Sequence, residues 1–356
     1  MPFSHTSTAV TRRSGVAVKL GLLFLVWLVS ISWLHYRLNN QPTDRPLVRM
    51  GYMPVVTNLA APLLDQVSRH GGDIQFEAVK FASFAEMAEA LRNDSIQAAF
   101  IIAPLAVVLR QQGVDVKVVL IGNRHESTLV ARKDLNAKRL EDLSGCTVAV
   151  PMRFSGHNLC LQKMIADKKL GGKIKVVEMN PPDMASALTS GALDAYFVGE
   201  PFAARTVLSQ DADVLAYVED LWPNFICNLV LVKNSWMEAN PSVAQKLVET
   251  AARSGIWASR HPDEAARIAS GYWNQSVDLV RYAMTTPDGR VVYDRYVPKS
   301  AELQVIADLM ARFDLIKHAD ISGLVDDRFA LSTSLDGIDN LDSILQTRPA
   351  VDRSVN

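Results

Sequence analysis

The sequence predicts an α/β fold of two β-α-β lobes joined by crossover strands. The main observation is an internal repeat, because ALRNDSIQAAFIIAP at 90–104 and ALTSGALDAYFVGEP at 187–201 share Ala, Leu, Ala, Phe and Pro at equal positions. The offset between the copies is 97 residues, and it also pairs Pro54 with Pro151, each at the end of a short apolar run. Each half therefore alternates strand and helix, which indicates parallel β-α-β units with helices on both faces of a sheet.

Five elements are expected in each half, in the order strand, helix, strand, helix, strand. They fall at 48–53, 58–69, 74–80, 84–92 and 97–102 in the first half and at 147–150, 156–169, 174–179, 183–190 and 194–198 in the second. Apolar runs at 116–121, 127–130 and 226–232 are predicted to be strands that cross between the lobes. Four amphipathic helices follow, at 242–259, 262–273, 276–285 and 301–313.

These elements predict how the chain is divided between the lobes. We expect the first part of lobe 1 at 47–122, a crossover with lobe 2 at 123–225, and a second crossover with the completion of lobe 1 at 226–330. The remaining residues, 331–356, are expected to form a polar tail with one amphipathic stretch at 335–345.

The N-terminus carries a signal for export. Arg12, Arg13 and Lys19 precede an uncharged apolar run at 20–34, which is short beside the ~20 residues of a typical spanning helix but is longer when counted from Val16. The small-x-small cleavage candidate at 30–32 is followed by the bulky Trp33, which makes a poor site. We therefore expect an uncleaved signal anchor at 16–35, with a cleaved signal peptide as the alternative. Residues 1–15 would stay in the cytoplasm, 36–46 would form a linker, and the body would lie on the periplasmic or extracellular face of the plasma membrane.

The composition excludes several classes of function. The 37 basic and 38 acidic residues leave a net charge of −1, which provides no basic field for nucleic acid. The three cysteines, Cys146, Cys160 and Cys227, lack C-x-x-C spacing. We therefore expect buried thiols, at least one of them unpaired, and no metal or other cofactor.

Candidate binding residues follow the carboxyl ends of the predicted strands, where ligands of open parallel sheets bind and where helix starts offer unpaired N–H groups. Each polar residue at these turns is also interpretable as a helix cap alone. His157 could equally be an exposed first-turn residue, and Glu200 could pin backbone at the hinge between the lobes. The ligand-binding candidates are Thr57, Asn58, Ser83 and Pro104 in the first lobe and Ser155, Gly156, His157, Asn158 and Glu200 in the second. If these act only as caps, the site is expected around Glu200 and residues 222–228.

Several motifs carry a resemblance to a known family. They are VRMGYMPVVTNLAAPLL at 48–64, AP at 103–104, LEDLSGCTVAVP at 140–151, FSGHN at 154–158 and GALDAYFVGEPFAA at 191–204. From about residue 48 to 329 the chain resembles the substrate-binding proteins of the nitrate/sulfonate/taurine/bicarbonate group of ABC importers, which also includes binders of thiamine precursors. One motif departs from the family pattern, because Gln97 stands where the usual Gly-Glu-Ile-Asp-Ala turn has its Asp.

The resemblance implies a type II periplasmic-binding-protein fold and a function without catalysis. The expected function is capture of a small polar or anionic solute between the lobes and its delivery to the permease and ATPase subunits of an ABC importer. Few basic residues fall at the inferred crevice, so a monoanion or a neutral heterocycle is expected before a dianion. The alternatives are a membrane-tethered ligand sensor or accessory protein, and an enzyme of the same fold in pyrimidine or menaquinone biosynthesis.

Overall fold

The computed structural model describes residues 10–39 and 45–346. The expectations for residues 1–9, for residues 40–44 of the linker and for residues 347–356 lie outside the described residues. The chain divides into an N-terminal helix, α1 (Val10–Asn39), and a body that begins at Pro46. Within α1, the stretch Ala17–Arg37 is long and apolar enough to cross a membrane by length and composition, and its side chains are exposed.

The body contains two five-stranded sheets of the same topology. The first has the order β2 (Gln75–Lys80), β1 (Leu47–Tyr52), β3 (Ala98–Ile102), β10 (Asn228–Lys233) and β4 (Val116–Ile121). The second has the order β7 (Lys175–Glu178), β6 (Thr147–Val150), β8 (Ala195–Gly199), β5 (Ser127–Arg132) and β9 (Ala212–Tyr217). In each sheet the fourth strand runs antiparallel to its neighbours, and the other strands run parallel. The predicted α/β fold of two β-α-β lobes is therefore confirmed.

The internal repeat appears in the structure at nearly the same offset. Helices α3 (Phe84–Arg92) and α6 (Pro181–Thr189) are related by a shift of 97 residues, as are β3 and β8. The departure at Gln97 leaves a key contact intact, because Gln97 Oε1 accepts the Arg49 N–H at 2.9 Å much as Asp194 Oδ2 accepts the Thr147 N–H at 2.8 Å. A carbonyl oxygen suffices as an acceptor in either side chain.

Helices cover the sheets and complete the first lobe. The remaining helices before the second crossover are α2 (Ala60–Ser68), α4 (Ala103–Gln111), α5 (Gly156–Asp167), α7 (Phe202–Leu208) and α8 (Val218–Leu221). Those after it are α9 (Asn234–Ala239), α10 (Pro241–Arg260), α11 (Pro262–Trp273), α12 (Val277–Thr285), α13 (Ser300–Arg312) and α14 (Arg328–Leu331). Short 3-10 turns lie at Val56–Asn58, Lys133–Leu135, Leu140–Leu143 and Asp342–Leu345.

The described part of the C-terminal tail is packed against the body. Arg253 of α10 is buried, and its guanidinium donates to the backbone carbonyls of Ser334, Asp336, Gly337, Ser343 and Ile344. Ile338 and Ile344 lie in the same core cluster as α10. Residues 334–346 thus hold more tertiary structure than a polar composition suggests, because one buried cation satisfies their carbonyls.

The two lobes meet at the crossovers, where a buried arginine joins them. The chain leaves the first sheet at Ile121, enters the second at Ser127, and returns to the first at Asn228. Arg290, in the segment after α12, donates to Ser127 O at 2.8 Å, to Thr128 Oγ1 at 3.0 Å and to Glu219 Oε1 at 3.0 Å. Its guanidinium also lies 4.4 Å from the centre of the Tyr217 ring. These contacts tie the segment that follows α12 to the base of the second sheet.

Two buried glutamates, Glu126 and Glu200, also lie at the crossovers, and we call this region the hinge. Glu200 accepts the Thr128 hydroxyl at 2.7 Å and the Ala204 N–H at 2.8 Å, and its carbonyl accepts the Val56 N–H from the first lobe at 2.9 Å. Glu126 accepts the Glu200 N–H at 2.6 Å. Burial raises the pKa of Glu126 to about 8, and the neighbouring charge of Glu200 adds to the shift. The Glu126 carboxyl is therefore largely protonated at neutral pH.

The state of Glu126 predicts how stability depends on pH. Between its ordinary value of 4.5 and about 8, the folded chain keeps a proton that the unfolded chain has lost, so the contribution of Glu126 to stability falls as pH rises through this window. Glu126→Gln removes the titration while keeping an oxygen acceptor for the Glu200 N–H. We expect the melting temperature of the wild type to fall between pH 6.5 and 9, and that of Glu126→Gln to fall by several degrees less.

Thermal unfolding followed by circular dichroism at the two pH values measures this difference. Glu264→Gln, which alters an exposed carboxylate, is the matched control and should follow the wild type. Parallel profiles for the wild type and Glu126→Gln would contradict the assignment.

Candidate functional site

A cavity of about 350 Å³ lies between the two lobes at the carboxyl ends of the strands, and we call it the outer chamber. The first lobe contributes Met53, after β1, and Ser83, Phe84 and Ala85, at the start of α3. The second lobe contributes the residues that follow β6 and β7, which are Pro151, Met152, Glu178, Met179, Asn180 and Pro181. Because parallel sheets expose their strand ends at one edge, the two repeats place equivalent turns opposite each other.

A smaller cavity of about 10 Å³ adjoins the outer chamber, with which it shares Phe84, Pro151 and Pro181, and we call it the inner chamber. Its other lining residues are Val55, Ile102, His157, Val198, Gly199, Cys227 and Asn228. A space of this size holds roughly one water molecule. The crevice therefore has an open outer part and a narrow floor that ends at the crossovers.

Some polar atoms without partners belong to residues that line the inner chamber. Asn228 and His157 line it, and among the described residues both amide atoms of Asn228 and Nδ1 of His157 have no hydrogen-bond partner. Thr57 Oγ1 and Asn58 Nδ2 are also unpaired, on the turn that follows β1, and these two residues line neither chamber. A buried polar group left unpaired costs ~1–3 kcal/mol, so these atoms are positioned to bind a polar solute or ordered water.

His157 is a neutral hydrogen-bonding group. Its Nε2 lies 2.9 Å from the Ser127 hydroxyl, and its ring packs edge-on against Phe197 with centroids 5.3 Å apart. Burial lowers the pKa of His157 to about 3, so the ring carries no charge at physiological pH. From the sequence, His157 could have been a protonatable ligand contact or an exposed first-turn residue. In the structure it is buried, and its lowered pKa keeps the ring neutral.

Cys227 lies beside His157 but is not an activated nucleophile. Its Sγ is 3.9 Å from His157 Nε2, and burial raises the pKa of the thiol well above its ordinary value. A thiolate–imidazolium pair needs the opposite shifts, a lowered thiol pKa beside a protonated histidine. All three cysteines are outside disulfides, in agreement with the expectation of at least one unpaired thiol.

Several candidates from the sequence have their polar groups satisfied locally. Ser155 caps α5 by accepting the Asn158 N–H at 3.1 Å and donates to Met152 O at 2.7 Å, while Asn158 Nδ2 donates to Arg153 O at 2.8 Å. Gly156 faces the Phe225 ring so closely that a Cβ would lie 2.7 Å from it. Pro104 is buried in the first turn of α4. None of these residues lines either chamber.

The predicted caps of the first lobe differ between the two turns. Ser83 accepts the Glu86 N–H at 3.2 Å and also lines the outer chamber. Either Thr57 or Asn58 was expected to cap the next helix, and this expectation is wrong. Residues 56–58 form a 3-10 turn, α2 begins at Ala60, and Asn58 Oδ1 instead accepts the Met53 N–H at 2.8 Å.

Asn228, Glu126 and Arg290 were missed as individual residues by the sequence analysis. Asn228 is the last residue of the 222–228 segment, which was expected to hold the site only if the candidate residues act as helix caps alone. Glu126 is 74 positions from Glu200, whose N–H it accepts, and Arg290 is 162 positions from Thr128, to which it donates. No local pattern in the sequence marks these contacts.

Comparison with known proteins places the chain in a family. Residues 41–271 match the NMT1-like family. A Bacillus subtilis (strain 168) protein named for aliphatic sulfonate binding is 22% identical over 72% of this chain and 77% of its own length. The taurine-binding periplasmic protein of Escherichia coli (strain K12) is 26% identical over 53% of this chain and 62% of its own length.

A solved structure has the same fold. The ligand-binding component of an ABC-type import system from Staphylococcus aureus superposes with a TM-score of 0.73 at 21% identity, over 82% of this chain and 100% of that chain. The type II periplasmic-binding-protein fold and the resemblance inferred from the motifs are thereby confirmed. Since the family match extends over more than half of the sequence, the chain is a member of the NMT1-like family.

Proposed function

We propose that the chain is the extracytoplasmic solute-binding subunit of an ABC importer. It captures a small polar or anionic solute between its lobes and delivers it to the permease and ATPase subunits. The observation that carries the proposal is the set of buried, unpaired polar atoms around the inner chamber, at the floor of a crevice to which both lobes contribute. The relatives named for sulfonate and taurine binding support it, as does the resemblance to importer components.

The solute's polar head would lie where the two chambers join, against the polar atoms of the inner chamber, which itself has room for about one water molecule. Asn228 supplies an amide that donates and accepts, and His157 supplies a neutral ring nitrogen. Thr57 and Asn58 add a hydroxyl and an amide donor from the first lobe. Closure of the crevice would bring these groups together around one head group, so that the solute stabilises the closed state. Catalysis is not part of the proposal, because the Cys227–His157 pair lacks an activated form.

The inner chamber predicts opposite effects of one substitution on affinity and on stability. Asn228→Ala removes an amide that is unpaired in the unliganded crevice. We expect it to weaken solute binding about tenfold, because one or two hydrogen bonds are lost, and to leave the stability of the unliganded protein unchanged or higher. The solute is first found by a thermal-shift screen of taurine, alkanesulfonates, nitrate, bicarbonate and pyrimidines. A ligand at 100 times its Kd adds ~2.7 kcal/mol.

Ser155→Ala is the matched control for Asn228→Ala. Its hydroxyl is used within its own turn, so the substitution should lower stability by ~1 kcal/mol through the lost cap and leave the dissociation constant unchanged. Titration calorimetry measures affinity, and thermal unfolding without solute measures stability. A dissociation constant that Asn228→Ala does not change would exclude the inner chamber as the site of the head group.

We further propose that α1 anchors the body on the outer face of the membrane. The stretch Ala17–Arg37 is apolar, exposed and long enough to span, and basic residues precede it. A membrane-tethered sensor is the second candidate function, since an anchor suits sensing as well as import. A permease gene and an ATPase gene next to this one would favour import.

A reporter fusion tests this topology. An enzyme that is active only outside the cytoplasm, fused after Arg45, should be active, and fractionation should leave the full chain with the membranes. An inactive reporter would exclude export. A soluble form that begins near Trp33 would exclude the anchor alone.

A further inference from the structure

The outer chamber carries a negative charge and no positive one. Among the described residues that line it, Glu178 is the single charged side chain. The others are three methionines, a phenylalanine, two prolines, an alanine, Ser83 and Asn180. A bare oxyanion in this chamber would face a carboxylate without a cation to balance it.

The helix starts at the outer chamber do not supply the missing positive charge. Helix α6 begins with Pro181 and Pro182, which have no N–H, and its next N–H, from Asp183, donates to Asn180 O at 3.0 Å. Helix α3 has one of its first N–H groups capped by Ser83. Both helices carry an acidic residue in the first turn, Asp183 in α6 and Glu86 in α3, which opposes the positive end of the helix dipole.

Glu178 has an oxygen available for a ligand. Its Oε2 accepts the Arg153 N–H at 2.9 Å, which fixes the carboxylate at the end of β7. Its Oε1 has no hydrogen-bond partner within 45–346, and no ion pair of Glu178 is found there. The guanidinium of Arg153 lies over the Phe154 ring, 5.0 Å from its centre, and makes no salt bridge to Glu178 in the described structure. The carboxylate is therefore exposed at the rim of the chamber, oriented by one backbone hydrogen bond, and without a counter-ion among the described residues.

We infer that Glu178 selects solutes that carry an organic ammonium group, which it binds at the outer end of the crevice. This inference rests on the proposed function, because it concerns the same crevice. A primary ammonium donates to Glu178 Oε1, and a quaternary ammonium, which has no N–H, is held by the charge of the carboxylate, while the polar head of the solute reaches Asn228 and His157 in the inner chamber. The two ends of the crevice thus require two different polar groups on one solute.

The walls between the two ends suit the body of such a solute. Met53, Met179 and Phe84 line the outer chamber with apolar, polarizable surface. The Phe84 ring belongs to both chambers, and an aromatic face attracts an organic cation. A cavity of about 350 Å³ is at the small end of ligand pockets, which limits the solute to a small metabolite. The preferred class is a small zwitterion or organic cation.

Two pairs of compounds separate the ammonium group from the rest of the solute. Taurine and ethanesulfonate differ by the amine, and choline and 3,3-dimethylbutan-1-ol have nearly the same shape but differ in charge. Each is titrated calorimetrically into the full chain in detergent, as the wild type, Glu178→Gln, Asn228→Ala and Glu89→Gln. Glu89→Gln removes the same charge from an exposed position of α3 outside both chambers. Thermal unfolding checks that every variant is folded.

In the wild type and Glu89→Gln, we expect the ammonium member of at least one pair to bind about tenfold more tightly than its partner. For taurine the gain comes from a charge-assisted hydrogen bond, and for choline, which has no N–H, it comes from ionic attraction to the carboxylate. In Glu178→Gln the ratio should fall towards one, because the ammonium compound alone is weakened. If only taurine binds more tightly than its partner, the solute is a zwitterion. If choline binds more tightly than its partner, the solute is an organic cation.

Three results would overturn the inference. If Asn228→Ala weakens binding but the ratio survives in Glu178→Gln, the inference fails and the proposed function stands. The same conclusion follows if ethanesulfonate binds as tightly as taurine and choline binds no more tightly than 3,3-dimethylbutan-1-ol. If neither Glu178→Gln nor Asn228→Ala changes any dissociation constant, or if no compound in the wider thermal-shift panel binds, the crevice proposal fails as well.

Discussion

The geometry of the crevice depends on how the two sheets are held at the crossovers, where Arg290 is the central group. A buried guanidinium is costly to desolvate, and it is tolerated only when its donors are satisfied. Here they are satisfied by a backbone carbonyl, a hydroxyl and a carboxylate of the second lobe. Because a planar guanidinium donates hydrogen bonds in only a few directions, these contacts fix the orientation of the segment after α12 relative to β5. The carboxyl ends of both sheets then face the same crevice.

Burial, rather than Arg290, sets the state of the neighbouring Glu126 carboxyl. Glu200 and Glu219 form ion pairs with Arg290 at 3.7 and 3.0 Å, so two carboxyls of the second lobe share one cation. Burial raises the pKa of Glu126 to about 8, the charge of Glu200 adds to the shift, and Arg290 opposes it. A protonated Glu126 keeps its contact with the Glu200 N–H without adding a third negative charge. The hinge therefore avoids a further buried anion.

The fold was predictable from the sequence because the same pattern of strands and helices occurs in it twice. Two copies at one offset, with matching strand-end prolines, are a local pattern, and α3 and α6 follow it closely. The site was predictable only in outline. Strand-end turns were found because Ser83 and His157 lie beside recognisable helix starts. The amide of Asn228 was assigned no role, since it comes from a crossover strand, and His157, which lines the same chamber, is far away in the sequence. Whether a hydroxyl such as that of Ser155 is satisfied locally depends on atomic distances that spacing does not encode.

The two chambers also explain why closure of the crevice is more favourable with a bound solute than without one. The inner chamber has room for about one water molecule, and both amide atoms of Asn228 and Nδ1 of His157, which belong to its lining residues, have no hydrogen-bond partner in the described structure. One water can form about three hydrogen bonds, so without a solute these three atoms depend on that single water. The narrow floor therefore carries a desolvation penalty whenever water does not occupy it. That penalty falls when a solute head group supplies the missing partners, so the binding free energy and the preference for the closed arrangement arise from the same few atoms.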